Sequence, residues 1–140
     1  MRRQPYILVV DDDATIATLI CEHLEHFGYR VTYCTDAAQA IIQAQSVKLG
    51  LLIADIMMPV FGSGVDAYRR IRANPRLPKD LPIIFLTGLT PEQAQRMVPK
   101  DDPRVRLLHK PLPLSKLITA IKDLTGETLA APPPAKQVKK

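Results

Sequence analysis

The chain has 140 residues, 46% hydrophobic and 24% charged, with a mean hydropathy of -0.01, which suits one globular domain with a single filled core. No apolar run approaches the ~20 residues a membrane-spanning helix needs, and Asp11 cuts off the Arg2-Arg3 opening too early for a signal peptide, so a cytoplasmic protein is expected. The net charge of +5 does not by itself mark a nucleic-acid binder, because Lys136, Lys139 and Lys140 could supply three of the excess charges and no recognition-helix or stacking pattern accompanies the other cations.

The first apolar run, Tyr6 to Val10, has strand character and ends on three adjacent carboxylates, Asp11, Asp12 and Asp13. Two such charges ~4 Å apart at an effective dielectric of ~20 repel by about 4 kcal/mol, so the cluster needs either free solvation or a cation. A helix follows, with Ile16, Leu19, Ile20, Leu24 and Phe27 expected on its inward face and Gly28 as its stop. Its His23 and His26 read as solvated or partner-facing side chains and not as metal ligands. The second strand, Arg30 to Cys34, ends in nothing reactive. The second helix opens at Asp36, with Gln39 three residues on, and should bury Ala37, Ala40, Ile41 and Ala44.

The third strand, Leu51 to Ala54, leads into Asp55. A helix over 64–73 should turn Val65, Tyr68 and Ile71 inward and end before Asn74-Pro75. The fourth strand, Pro82 to Leu86, leads into Thr87, and Thr90-Pro91-Glu92-Gln93 spells a capping box with proline at the first helical position. The fifth strand, Val105 to Leu108, leads into His109-Lys110, and the last helix carries Leu114, Leu117, Ile118, Ile121 and Leu124 before Gly126. The expected domain is residues 1–126; from Glu127 the chain turns to Ala, Pro and Lys, and 127–140 are expected to form a flexible tail. Cys21 and Cys34 lack Cys-x-x-Cys spacing and read as ordinary buried thiols.

Five strand–helix pairs in strict alternation imply an α/β domain with a parallel sheet and right-handed crossovers, the second strand at an edge. Ligands of such sheets bind beyond the carboxyl ends of the strands. One crevice should therefore collect the carboxylates of Asp11-Asp12-Asp13 and Asp55, the hydroxyl of Thr87 and the ammonium of Lys110. Clustered carboxylates without thiolates or paired imidazoles suit Mg²⁺, or Mn²⁺, and not zinc. A hydroxyl and an ammonium opposite the metal match the remaining oxygens of a phosphoryl group, and one carboxylate could be its nucleophile.

Two resemblances compete for that nucleophile. Asp11-Asp12-Asp13-Ala14-Thr15 fits the D-x-D-x-T motif of haloacid-dehalogenase-type phosphatases, which would make Asp11 the nucleophile, Asp13 the acid/base and Asp101-Asp102 the final acidic pair. However, Arg96 to Lys100 before that pair is not an apolar strand, and Asp55 is left unused. In contrast, Leu51-Leu52-Ile53-Ala54-Asp55-Ile56-Met57-Met58-Pro59 resembles the phosphoacceptor segment of bacterial response-regulator receiver domains. So do Ile7 to Asp12, Pro82 to Gly88 and Leu108 to Pro111, in the family's order, over about residues 5 to 125.

The receiver resemblance implies a flavodoxin-like (βα)5 doubly wound sheet of strand order 2-1-3-4-5, in a single-domain regulator of the chemotaxis type. It implies that Asp55 accepts a phosphoryl group from a sensor histidine kinase or histidine phosphotransfer protein. Asp11, Asp12, Asp55 and the backbone carbonyl of Met57 would hold Mg²⁺, while Thr87 and Lys110 take phosphoryl oxygens. Backbone N–H groups of Met57 and Gly88 would add donors, and Lys110–Pro111 should be cis. Asp13 falls outside the pattern and reads as a first-turn helix acid. Output to a downstream protein would pass through the fourth helix, fifth strand and fifth helix. Membranes and nucleic acid are not expected partners, and a receiver-like module that is never phosphorylated is the non-enzymatic alternative. Leu107 stands where many receivers carry a switching Tyr or Phe, the loop Val60 to Gly64 holds an extra residue, and Pro99 to Pro103 replaces the common Gly-Ala entry to the fifth strand.

Overall fold

The computed structural model describes residues 4–56, 64–111, 113–126 and 129. Five strands alternate with five helices: β1 (Tyr6–Val10), α1 (Ala14–His26), β2 (Arg30–Cys34), α2 (Ala37–Ser46), β3 (Leu49–Asp55), α3 (Gly64–Ala73), β4 (Ile83–Thr87), α4 (Pro91–Met97), β5 (Val105–His109) and α5 (Leu114–Thr125). All four strand pairings are parallel, and the order β2-β1-β3-β4-β5 makes the sheet flavodoxin-like, with β2 at an edge. Among the described residues, no helix is long and apolar enough to cross a membrane.

The near-continuous apolar strands follow from helices covering both faces of the sheet. Leu8, Val10, Leu52, Ala54, Ile83 and Phe85 join the core under α2, α3 and α4. The alternate residues Ile7, Val9, Leu51, Ile53, Ile84 and Leu86 join the core under α1 and α5. Strand period thus assigns each side chain to one of two layers.

The helix ends follow the expected chemistry. Asp36 Oδ1 accepts from the Gln39 N–H at 2.8 Å, and Thr90 and Gln93 form both halves of a capping box. Gly126 adopts φ +64 at the C-terminal cap of α5, and Gly28 adopts φ +95 just beyond α1. The helix itself stops at His26, with Phe27 as its cap.

Helix α1 departs from the expected inward face. Its buried residues are Ala17, Cys21 and Leu24, whereas Leu19 is 52% and Phe27 50% exposed. The apolar stripe is wider than the part that meets the core, and two of the three buried positions are the small residues Ala17 and Cys21. Strand edges also differ slightly: β3 begins at Leu49, and β3, β4 and β5 each include the polar residue expected just after them.

Past α5, Leu129 is buried in the α1/α5 core layer. Gln4 Nε2 donates to the Leu129 carbonyl, and a Cβ at Gly50 would overlap the Leu129 side chain and lie 2.9 Å from Pro5 Cβ. Absence of a side chain at Gly50 is what opens that seat.

Candidate functional site

The backbone registers bring the strand ends to one edge. The Asp11 N–H donates to Cys34 O at 3.2 Å, the Ile56 N–H to Leu86 O at 3.1 Å and the Lys110 N–H to Thr87 O at 2.7 Å, so the ladders continue to the ends of the strands at that edge. In register, Asp55 pairs with Leu86 and Thr87 with His109. The Lys110–Pro111 bond is cis, as expected.

Carboxylate oxygens of Asp11, Asp12 and Asp55 lie within 4.8 Å of one another. Asp11 is buried, Asp55 half-buried and Asp12 exposed. Lys110 Nζ donates to Asp55 Oδ2 at 3.1 Å and lies 3.6 Å from Asp11 Oδ2. Burial pushes the Asp11 carboxyl above its ordinary value; the hydrogen bond from Asp13 N–H and the Lys110 charge only partly offset that, and Asp55 and Asp12 push it further up. Burial would lower the Lys110 ammonium, but the hydrogen bond to Asp55 and the charges of Asp55 and Asp11 outweigh it and hold the group above the ordinary lysine value. An all-oxygen set with one solvent-facing member fits a hard divalent cation such as Mg²⁺, and Asp11, Asp12 and Asp55 are the side chains that would hold it.

Thr87 is fully buried, and its Oγ1 accepts from the Leu89 N–H at 2.9 Å, fixing the turn into α4. A hydroxyl used as an acceptor still has its own proton to donate. A Cβ on Gly88 would meet nothing within 4 Å, so that position is open on one side. Met57, expected to lend its carbonyl, lies outside the described residues, as do residues 60–63 of the loop with the extra residue.

Asp13 is not a first-turn acid. It is the N-cap of α1, accepting from the Thr15 N–H at 3.0 Å and the Ile16 N–H at 3.3 Å. Its aspartate–alanine start before an apolar helix was the signal available for that role.

Asp102 is engaged elsewhere. It accepts from Tyr68 Oη at 2.8 Å, from Arg72 Nε at 2.9 Å and from the Arg104 N–H at 2.9 Å. Burial pushes its carboxyl up, but those hydrogen bonds, Arg72 foremost, prevail and hold it below 3.8. Neither Asp13 nor Asp102 joins the carboxylate cluster, so the phosphatase assignment of those residues fails. Nothing local in the sequence announced the Tyr68–Arg72–Asp102 cluster, whose members come from α3 and from the connection into β5.

Leu107 is partly buried against the α2/α3/α4 layer and lies opposite Phe85 in the β4–β5 register. The Tyr68 ring meets Phe85 edge-on, with centroids 6.0 Å apart. His23 and His26 are exposed, and among the described residues they belong to no metal-ligating group.

The family model of the response regulator receiver domain matches residues 7–122. This chain belongs to the response regulator receiver family. The receiver is 29% identical over 132 residues to the DNA-binding dual master transcriptional regulator RpaA of Synechocystis, covering 94% of this chain and 54% of that protein. It is 38% identical over 87 residues to the CAI-1 autoinducer sensor kinase/phosphatase CqsS of Vibrio cholerae, covering 62% of this chain and 12% of that protein. The chain thus spans only about half the length, or less, of these curated relatives. Among solved structures, a response regulator receiver protein from Pseudomonas putida superimposes with a TM-score of 0.77 at 30% identity, covering 88% of this chain and 99% of the other. The chemotaxis response regulator CheY4 of Vibrio cholerae gives 0.75 at 25% identity, covering 87% and 99%. Receiver domains are signalling domains and not enzymes in the ordinary sense, and they work with histidine kinases and downstream targets.

Proposed function

We propose that this receiver accepts a phosphoryl group on Asp55 from a phosphohistidine of a sensor histidine kinase or histidine phosphotransfer protein, with Mg²⁺ (or Mn²⁺) at Asp11, Asp12 and Asp55 and the Met57 carbonyl as a further ligand. The observation that carries this reading is Asp55 held 3.1 Å from Lys110 within the three-carboxylate cluster. Such a cation supplies charge that offsets the carboxylates and the incoming phosphoryl oxygens.

The residues divide the work as follows. A carboxylate oxygen of Asp55 attacks phosphorus in line, an O–P bond forms, and the P–N bond breaks with its electron pair returning to the donor imidazole. Lys110 exchanges its bond to Asp55 for one to a phosphoryl oxygen, and the Thr87 hydroxyl donates to another. Asp13 holds the start of α1, which keeps Asp11 and Asp12 at the strand mouth. An apolar groove between α1 and α5, lined by Ile16, Leu19, Ile20, Leu114 and Lys110, borders the acceptor and gives a phosphodonor a landing surface. Once Asp55 carries nearly two negative charges, the new partners of Thr87 and Lys110 bias α4, β5 and α5 toward an arrangement that a downstream protein reads in the cytoplasm. With Leu107 in place of an aromatic, that bias runs through Thr87 and the turn at Leu89.

Incubation with Mg²⁺ and acetyl phosphate, followed by mapping of phosphoaspartate, tests the proposal. Label at Asp55 that Asp55→Asn abolishes is the expected result. An unlabelled protein would leave a passive interaction module, and label at Asp11 with steady phosphate release would point to a phosphatase.

A further inference from the structure

The carboxylate site leaves the opposite charge of the molecule unexplained. Residues 1–68 contain four Lys or Arg against eight Asp or Glu, whereas residues 69–106 contain nine against four. The excess of positive charge therefore begins on α3, not in the C-terminal tail. Beside α3 lies α2, whose sequence AAQAIIQAQS has no ionisable side chain. A surface helix ordinarily turns charge toward water, yet α2 turns Ala38, Gln39 and Ile42 outward, and Ile42 is 64% exposed.

The two helices form a groove lined by Ala38, Ile41, Ile42, Ala73 and Pro75, with Arg70 and Asn74 as its polar members. Arg69 and Arg76 are exposed on α3 and just beyond it. The acids nearest by sequence, Asp36 and Asp66, sit at the N-terminal ends of the two helices, where one caps α2 and the other occupies the first turn of α3. The rest of the groove is a mainly apolar floor bordered by the Arg70 guanidinium and the Asn74 amide.

We propose that this groove docks an acidic segment of a partner protein, seating one apolar side chain against Ile42 and setting carboxylates on Arg70 and its neighbours. The charge identifies the partner's sign, and the predominance of guanidinium favours planar, bidentate carboxylate recognition. The uncharged floor identifies the anchor. Nucleic acid is the poorer fit, because the groove offers no aromatic ring on which a base could stack and its floor carries no cation. The surface is separate from the acceptor cluster, so the inference stands whether or not Asp55 is phosphorylated.

Fluorescence anisotropy of the full chain with a labelled Glu/Leu helical peptide of about 15 residues tests it at about 50 mM salt. Binding should weaken about tenfold in Ile42→Ser and again in Arg70→Glu, both exposed positions whose melting temperatures report intact folding. Raising the salt should weaken it further, and replacing Glu by Lys or Leu by Ser in the peptide should abolish it. No binding at low salt, indifference to both substitutions, or tighter binding of single-stranded or duplex DNA of similar length would overturn the proposal. So would concentration-dependent self-association lost in Ile42→Ser, which would make a second copy the occupant.

Discussion

Replacing Lys110 by methionine should separate cation binding from phosphoryl transfer. At 3.1 Å and 3.6 Å, the ammonium attracts Asp55 and Asp11 by roughly 5 kcal/mol each at an effective dielectric of ~20. Most of that is cancelled by desolvation and by the 29% of the Lys110 side chain that remains exposed, which leaves a net worth of about 1–2 kcal/mol. A divalent cation on the same carboxylates must displace or weaken this pair. Lys110→Met therefore removes a competitor, and the Kd for Mg²⁺ should fall by roughly 5- to 30-fold. Labelling of Asp55 by acetyl phosphate should slow in the same variant, because an oxygen of the transferred group loses its partner. Calorimetric Mg²⁺ titration of both proteins measures the first effect, and phosphoaspartate formation over time measures the second. An unchanged or weaker Mg²⁺ affinity in Lys110→Met would refute the claim that Lys110 occupies the metal's carboxylates.

Three further outcomes follow from the packing. Asp102 has a carboxyl held below 3.8 in the folded state, so its contribution is complete above the unfolded value and disappears as pH falls through the folded one. Asp102→Asn should accordingly cost about 2–4 kcal/mol near neutrality, with the gap from the native protein closing as urea melts are repeated toward pH 3; a gap independent of pH would exclude the ion pair as its cause. Gly50→Ala should destabilise by about 1–3 kcal/mol through overlap with Leu129, and combining it with Leu129→Ala should cost less than the two changes separately, a coupling that a double-mutant cycle reads and strict additivity would contradict. Burial pushes the Cys21 thiol up to about 11 and the Cys34 thiol up to about 12, so both should resist a thiol-specific reagent at pH 8 in the folded protein and react promptly in denaturant; fast reaction of Cys34 without denaturant would contradict its burial.

Legibility in the sequence followed the range of the pattern. Periodic apolar runs with caps at Asp36, Thr90 and Gly126 are local codes, and their elements lie within a residue or two of where periodicity puts them. The cluster of Asp11, Asp12, Asp55 and Lys110 was legible for a related reason: a parallel sheet delivers every strand's last residue to one edge, so naming the strands also collected these residues, although the same logic drew in Asp13, which caps α1 instead. Tertiary structure alone decided which part of α1's apolar stripe is buried, because the stripe is wider than the part that meets the core. It alone paired Asp102 with Tyr68 and Arg72, residues about thirty positions away, and seated Leu129 against Gly50. Such contacts bring together segments whose own sequences carry no trace of one another, since they are selected by the shape left after the layers pack and not by any local preference of the chain.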